Sequence, residues 1–369
     1  MSYLVLARKW RPQKFEEVIG QKPIIRTLQN AIKSNRVAHA FLFAGPRGVG
    51  KTSVARILAK ALNCVHGPTP HPCNQCDACL EITKAISPDV FEIDGASNTK
   101  VENVRNLQET IKYLPQKHRY KIYIVDEVHM LSDSAFNAFL KTLEEPPPHV
   151  IFIFATTEPH KIIETVIDRC QRYDFKKIPS SLILEKLEEI ARNEGIVISS
   201  EALQIISRAA EGSLRDAQSL LDQVITYSGT NIQDEDVAEI LGIVDSKILL
   251  EISIAIFNQD LKKCLELIEN VFNYGVDVRR FYQSILEHFR NLLVAKISDH
   301  SQQISQLFPD LSPREIKELT IQAQGFSFEK LQLILKILME NESYLYRTSL
   351  PRVILEAILL RIAAIPNFA

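Results

Sequence analysis

The stretch GPRGVGKT constrains the fold more than any other part of the sequence. It follows the apolar run AFLFAG (40–45), which is typical of a buried strand, and a helical pattern at Ser53–Leu62 follows it. This order fits the phosphate-binding loop G-x-x-x-x-G-K-[ST], in which backbone N–H groups and a helix N-terminus converge on phosphate oxygens. We therefore expect these residues to bind a nucleotide: Gly45, Pro46, Arg47, Gly48, Val49, Gly50, Lys51 and Thr52.

The run YIVDEVHML supplies the acidic partners of this loop. Asp126 ends a predicted buried strand, where a carboxylate is costly unless it meets a cation. We expect Lys51 to neutralise the β- and γ-phosphates, and Thr52 and Asp126 to hold Mg²⁺. Glu127 is expected to polarise the attacking water, and His129 is interpreted as structural. The two motifs together predict an NTPase.

Three further apolar runs of similar length follow the first, with helical patterns such as Asn137–Leu143 between strands: DVFEID (89–94), YKIYIVDE (120–127) and VIFIFATT (150–157). Repeated βα units predict a doubly wound α/β domain with a parallel sheet. After RYDFKKIPSS only helical patterns remain. We predict an α/β domain at 1–179, a small helical domain at 180–242 and a second helical domain at 243–369.

Charge and hydropathy exclude some classes of protein. The formal net charge is −2, from 43 basic and 45 acidic residues, so the whole chain has no electrostatic attraction to DNA or to an anionic membrane. Nucleic-acid contact would need a local basic face or an assembly. No apolar run reaches the roughly 18 residues of a membrane span, and the N-terminal stretch meets charge too early for a secretory signal. We expect a cytoplasmic protein that does not bind membranes.

Four of the six cysteines form the pattern C-x₈-C-x₂-C-x₂-C, with turn-forming residues between the first two: Cys64, Cys73, Cys76 and Cys79. Close C-x₂-C pairs chelate one tetrahedral ion, and Zn²⁺ suits four thiolates in a closed structural site. An iron–sulfur cluster is the alternative, although the upstream fourth cysteine and the missing C-x₃-C-P tail disfavour it. His66 or His71 is a lower-ranked substitute for one thiolate. We predict a zinc module at 64–79.

Longer stretches of the sequence are more specific than these motifs: SYLVLARKWRPQKFEEVIGQ, HAFLFAGPRGVGKTSVARILAKALNC, DEVHMLSDSAFNAFLKTLEEPPPHVIFIFATTEP, DRC and EGSLRDAQSLLDQ. They closely resemble the gamma/tau subunits of bacterial DNA polymerase III, from Ser2 to about Gly242 and more weakly beyond. The cysteine spacing also matches the structural zinc module of that family.

The resemblance implies an AAA+ ATPase with a helical lid and a helical collar that joins five subunits in a ring. ATP, Mg²⁺ and Zn²⁺ are then the expected cofactors. The implied partners are the delta and delta-prime subunits, further gamma/tau copies, the sliding clamp and the backbone of primed DNA, in a replisome at the nucleoid. The proline-rich linker of long family members does not occur here, so we expect a gamma-like short form or a shortened piece.

Three site residues follow from the resemblance by position. Thr157, or its neighbour Thr156, resembles sensor 1, and Arg215 in GSLRDA resembles sensor 2, with a surface arginine as the alternative. Arg169 resembles the arginine finger that acts on the ATP of a neighbouring subunit. The family motif is Ser-Arg-Cys, and Asp168 replaces the serine here. Its carboxylate is expected either to pair with Arg169 or to face water.

The resemblance also places two segments near ligands. Ala7–Pro12 and Val18-Ile19 match the segment that packs around the adenine, and Trp10 is interpreted as packing rather than stacking. The nucleotide-contact residues implied there are Ala7, Trp10, Val18 and Ile19. GASNTKVENVR matches a segment that meets the primer–template backbone, with phosphate-contact candidates Thr99, Lys100 and Arg105.

Two other functions stay open from the sequence. A non-hydrolysing scaffold like the delta-prime subunit shares the resemblance but lacks an intact phosphate-binding loop, and Lys51-Thr52 argues against it. An AAA+ helicase motor of the Holliday-junction type would lack the four-cysteine insertion.

Overall fold

The computed structural model describes residues 4–97, 110–132, 136, 140, 142–241, 246–273, 276–298, 307–308, 311 and 313–366. They form two compact units. The first contains the residues up to Ile190 together with Ala210–Asp222, and the second contains Ala191–Ala209 together with the residues from Gln223 onward. The domain limits predicted near 179 and 242 stay a prediction.

The first unit contains a five-stranded sheet whose strands are β1 Ala40–Ala44, β2 Val90–Asp94, β3 Lys121–Asp126, β4 Val150–Thr156 and β5 Gln171–Asp174. Its helices within the described residues are α1 Leu6–Lys9, α2 Lys22–Lys33, α3 Lys51–Asn63, α4 Asp77–Lys84 and α5 Glu164–Ile167, with short 3₁₀ turns at Phe15–Glu17, Val128–Met130 and Pro159–Lys161. Helices α6 Ser180–Glu194 and α8 Leu214–Ser228 each have residues in both units.

All strand pairs are parallel, in the order β2-β3-β4-β1-β5. Alternate residues of each inner strand enter two separate cores: Phe41 and Phe43 of β1 pack on one face, and Ala40 and Leu42 pack on the other. A sheet buried on both faces is what near-continuous apolar strands require. The predicted doubly wound arrangement is therefore confirmed.

Strand β5 was not predicted, because its sequence QRYD carries little apolar signal. Only Tyr173 of this strand is buried, and the strand lies at an edge of the sheet, where it pairs with β1 alone. The predicted helix at Asn137–Leu143 lies only partly within the described residues, where Leu140 is helical.

The carboxyl ends of the parallel strands meet at one edge of the sheet. Ala44 is in register with Thr156, and Asp94 is in register with Asp126. Such an edge is where open α/β sheets bind ligands. The loop after β1 opens directly into α3 with Gly50 at φ 104°, a left-handed conformation suited to glycine.

The helices of the second unit are α7 Ser200–Ala209, α9 Asp234–Leu241, α10 Ser246–Phe257, α11 Leu261–Asn273, α12 Val278–Ile297, α13 Pro313–Gly325, α14 Phe328–Arg347 and α15 Pro351–Ala363. The apolar faces of α10 to α15 form one core around Phe281, Phe289 and Leu331, as the amphipathic patterns predict. A buried polar contact crosses this core, because Gln322 Nε2 donates to Ser253 Oγ at 2.7 Å. His288 Nε2 lies 2.9 Å from the same hydroxyl, and burial lowers the pKa of His288 to about 4.

Within the ranges that the structure describes, every helix is too short or too polar to cross a lipid bilayer.

Candidate nucleotide-binding site

An open cleft lies at the carboxyl edge of the sheet. Of the twelve residues predicted to contact a nucleotide, all but Gly45 and Pro46 line this cleft: Ala7, Trp10, Val18, Ile19, Arg47, Gly48, Val49, Gly50, Lys51 and Thr52. Asp126, Glu127 and Arg215 line it as well. The structure therefore brings the two motifs, the N-terminal segment and the start of α8 to one place.

Lys51 is held against the loop that precedes it. Its Nζ donates to the backbone oxygens of Gly45 and Pro46, each at 2.7 Å. Burial lowers the pKa of Lys51, while the carboxylates of Glu127 and Asp126 act in the opposite direction. Gly45 and Pro46 thus contribute carbonyls at the base of the loop rather than surface of the cleft.

Thr52 and Asp126, the two predicted magnesium ligands, are in direct contact. Thr52 Oγ1 donates to Asp126 Oδ2 at 2.7 Å. A hydroxyl and a carboxylate in contact beside a phosphate-binding loop form an oxygen donor set of the type that Mg²⁺ prefers. The residues present therefore fit the ion.

Glu127 has a left-handed backbone, with φ 46°, directly after β3. Its Oε2 accepts hydrogen bonds from the backbone N–H of Thr157 at 3.2 Å and from Thr157 Oγ1 at 2.9 Å. Thr156 is instead buried, and its hydroxyl lies 3.0 Å from His129 Nδ1. Of the two sensor 1 candidates, Thr157 is the one whose hydroxyl contacts Glu127.

Arg215 lies at the start of α8, which packs directly on the phosphate-binding loop. Its backbone N–H donates to the oxygen of Gly48 at 3.4 Å. A Cβ on Gly48 would stand 1.8 Å from Ser213 Oγ, so this loop position has no room for a side chain. The close approach explains how an arginine more than 160 positions after Lys51 comes to line the same cleft.

Some lining residues were missed by sequence reasoning: Arg11, Pro12, Glu17, Ser53, Ile178, Leu214 and Gln218. The segment that contains Arg11 and Pro12 had been recognised, but no motif selected them within it. Trp10 is half-buried, and Lys186 Nζ lies 5.0 Å from the centre of its ring. Such a cation–π contact gives Trp10 a packing partner within the protein.

Arg169, the predicted arginine finger, is not among the residues that line the cleft. Its guanidinium donates to the backbone oxygen of Thr165 and pairs with Glu144 Oε1, each at 2.7 Å. Asp168 is exposed, so of its two expected states the structure has the one in which this carboxylate faces water. The DNA-contact candidates Thr99, Lys100 and Arg105 lie outside the described residues.

The four cysteines predicted to bind a metal come together. The Sγ atoms of Cys64, Cys73, Cys76 and Cys79 all lie within 4.8 Å of one another, and Cys73 Sγ is 4.0 Å from Cys79 Sγ. Thiolates around one tetrahedral zinc stand about 3.8 Å apart, from a Zn–S bond of about 2.3 Å. This cluster fits one ion, and neither His66 nor His71 belongs to it.

The backbone around the cluster favours thiolates. The N–H groups of Gln75 and Cys76 donate to Cys73 Sγ and lower the pKa of that thiol to about 6. Burial raises the pKa of the Cys79 thiol. Cys170 and Cys264 lie elsewhere as free thiols.

Three family models match consecutive parts of the chain. Residues 20–179 match the DNA polymerase III delta subunit, residues 182–230 match the ATPase lid domain of a DNA polymerase III clamp loader subunit, and residues 232–368 match domain III of DNA polymerase III subunits gamma and tau.

Relatives match nearly the whole chain. DNA polymerase III subunit gamma of Buchnera aphidicola subsp. Schizaphis graminum is 40% identical over 98% of this chain and 98% of its own length. The chain belongs to the gamma/tau family of DNA polymerase III subunits. Subunit tau of Bacillus subtilis is 42% identical over 98% of this chain, and subunit tau of Salmonella typhimurium is 44% identical over 81% of it. The chain spans 63% and 46%, respectively, of the lengths of these two tau subunits.

The predicted fold class is confirmed by the parallel sheet and by the lid and domain III matches: an AAA+ α/β domain with a cysteine insertion, a helical lid and a helical C-terminal part. A solved structure of the RuvB Holliday junction branch migration motor of Thermotoga maritima is 19% identical to this chain. The structural alignment covers 67% of this chain and 79% of the RuvB chain, with a TM-score of 0.48.

Proposed function

We propose that the chain is an ATPase subunit of the DNA polymerase III clamp loader, which uses ATP binding and hydrolysis to load the sliding clamp onto primed DNA. The observation that carries this proposal is the meeting of Lys51, Thr52, Asp126 and Glu127 at one cleft. Membership in the gamma/tau family supports it. A chain that only bound nucleotide could use Asp126 for Mg²⁺ but would not need the second carboxylate, Glu127, beside the phosphate-binding loop.

In this proposal Lys51 exchanges its two loop carbonyls for the β- and γ-phosphate oxygens of ATP. Thr52 and Asp126 hold Mg²⁺, which when bound neutralises charge on the phosphates. The hydrogen bond between Thr52 and Asp126 supports this pairing, because it holds both oxygens at one point of the cleft.

Glu127 orients and polarises the water that attacks the γ-phosphate. Its contact with Thr157 supports the assignment of Thr157 as sensor 1, since one hydroxyl holds the carboxylate. Arg215 reaches the phosphates from the start of α8, as its place in the cleft lining supports.

Arg169 acts on the ATP of a neighbouring subunit. Its position outside the cleft of its own chain supports action in trans, and the pair with Glu144 must open when it does so. An arginine supplied in trans contributes about 10³–10⁵ in rate to phosphoryl transfer in related NTPases.

The remaining assignments follow from the family. Zn²⁺ occupies the four-cysteine cluster as a structural ion. The four Sγ atoms lie close enough together to bind one ion, whereas an iron–sulfur cluster would distribute the thiolates over different iron atoms. The partners are delta, delta-prime, further gamma/tau copies, the sliding clamp and primed DNA. Thr99, Lys100 and Arg105 contact the DNA backbone, and the assembly works in the cytoplasm at the nucleoid.

Steady-state ATP hydrolysis tests the proposal. We expect a weak rate for the purified chain, little change with the other loader subunits, and a sharp rise once clamp and primed DNA are added. Arg169→Ala in the complete mixture should reduce the stimulated rate by about 10³-fold or more. A rate indifferent to clamp and primer would favour a different AAA+ motor, and no hydrolysis in any mixture would favour a scaffold.

A further inference from the structure

A second lysine of α3 lies far from the phosphate-binding loop and is almost fully buried. Lys60 is 1% exposed. Its Nζ donates to three oxygens: the backbone oxygen of Gln13 at 2.9 Å, Gln13 Oε1 at 2.8 Å and Asn74 Oδ1 at 2.8 Å. An ammonium has three hydrogens, so every donor of this buried cation is satisfied. Nothing in the proposed catalytic mechanism uses this lysine.

The three oxygens belong to two different parts of the first unit. Asn74 lies within the cysteine cluster, between Cys73 and Cys76, and has a left-handed backbone with φ 57°. Its Nδ2 donates to the backbone oxygen of Gln13 at 3.3 Å. Thr83 of α4, the helix that carries Cys79, donates to Gln13 Oε1 at 3.2 Å. Lys60 and the cysteine module therefore both hold Gln13.

Gln13 in turn belongs to the wall of the cleft. Arg11, Pro12 and Glu17 line the cleft on either side of it in sequence. The backbone N–H of Gln13 donates to Glu17 Oε2 at 2.7 Å, and its Nε2 donates to the backbone oxygen of Arg11 at 3.0 Å. The position of this wall, formed by residues 7–19, is thereby tied to the cysteine module.

We propose that Lys60, Asn74 and Gln13 form a positioning node through which the metal-filled cysteine cluster sets the affinity for the base and sugar of the nucleotide. The inference rests on the proposed function, because the phosphates are assigned to the loop at Gly45–Thr52 and the rest of the nucleotide falls to the wall at 7–19. The three node residues act through this wall and do not touch the phosphates.

The sharpest variant is Asn74→Gly. Glycine keeps the left-handed backbone while the amide that contacts Lys60 and Gln13 is lost. Asn35→Gly is the matched control, since Asn35 is exposed, has φ 52° and lies outside the node. Gln13→Met is a second variant that leaves the cysteine module intact. Each protein is prepared as the full chain with Zn²⁺, and its metal content and melting temperature are measured.

Equilibrium dissociation constants are then measured for two probes, ATP and inorganic triphosphate. Triphosphate reports the phosphate loop alone, whereas ATP also reports the wall. We expect Asn74→Gly and Gln13→Met to weaken ATP binding by about tenfold, equivalent to about 1.4 kcal/mol, with triphosphate binding unchanged. Removal of Zn²⁺ from the wild-type chain should give the same pattern, and Asn35→Gly should match the wild type for both probes.

Unchanged ATP affinity in both node variants, with wild-type binding intact, would overturn this inference alone. An equal loss for ATP and triphosphate would also overturn it, because the effect would then be a general loss of structure. A wild-type chain that binds neither probe would overturn the proposed function together with the inference.

Discussion

The two ends of helix α3 each carry a lysine that donates to oxygens of the chain, yet their surroundings differ. Lys51 lies at the open cleft and contacts two backbone oxygens of the loop before it. Lys60 lies nine residues later in an enclosed site and contacts three oxygens from two separate segments. Burial lowers the pKa of both lysines, that of Lys60 to about 8.

Two lysines of similar burial can therefore be separated, by the partners of their ammonium groups, into a functional one and a structural one. Ligand oxygens can replace the carbonyls that Lys51 contacts, because Lys51 itself lines the open cleft. If the partners of Lys60 moved away, a buried cation would lose its hydrogen bonds, and the contact between the N-terminal segment and the cysteine module would break. The first lysine is therefore expected to control chemistry and the second to control stability.

Of the variants in α3, Lys51→Met is expected to change the rate of hydrolysis most. Lys51→Met should lower the clamp- and primer-stimulated ATPase rate by about 10²–10³-fold, the usual cost of removing one electrostatic group from a reacting centre. The melting temperature should change little, since water reaches the two loop carbonyls that lose their donor. Parallel rate measurements and thermal melts check both statements, and a large loss of stability with a retained rate would reverse the comparison.

The reciprocal variant is Lys60→Met. The three oxygens, which belong to the half-buried Gln13 and Asn74, lose their common donor, and an unpaired buried acceptor costs about 1–3 kcal/mol. We expect the free energy of unfolding of the first unit to fall by about 2–4 kcal/mol, measured by urea unfolding of the full chain. Lys33→Met, at an exposed position at the end of α2, is the control and should stay within about 0.5 kcal/mol of wild type. Equal stability of the two variants would show that Lys60 is not structural.

A smaller effect tests the same division at the end of β4. Thr157→Val removes the hydroxyl donor to Glu127 but leaves the backbone donor, so kcat should fall by about tenfold while the Kd for ATP is retained. Thr156→Val instead removes a buried hydroxyl that contacts His129. Its main expected effect is a lower free energy of unfolding, with a smaller loss of kcat than in Thr157→Val. The opposite outcome for the two threonines would transfer the sensor 1 assignment to Thr156.

Local patterns were sufficient to predict strands β1 to β4, the phosphate-binding loop and the cysteine cluster. A strand buried on both faces, a glycine-rich turn and closely spaced thiols each leave a signal within a few residues. Strand β5 left no such signal, because an edge strand with one buried residue looks like a loop. Glu17 and Gln218 reach the cleft only through folding, so no short pattern selects them.

The node of Lys60, Asn74 and Gln13 could not be predicted from a short sequence pattern either. Its lysine, glutamine and asparagine are separated by 47 and 14 residues, and each is ordinary in its own sequence context. The contact of Lys60 with Gln13 and Asn74 is identified only in the structure, where Lys60 is buried. Arg169 could be predicted in part. The resemblance to the family identified the residue, but its ion pair with Glu144 was found only in the structure.

Hydrogen exchange of the full chain with and without Mg²⁺ and ATP follows both ends of α3 in one experiment. We expect ATP to give the largest gain in protection at Gly45–Thr52, a smaller gain at residues 7–19, and the smallest change at Lys60 and residues 64–79. Equal or larger changes at the cysteine module, or none at the phosphate-binding loop, would contradict the division between an exchangeable and a fixed end of this helix.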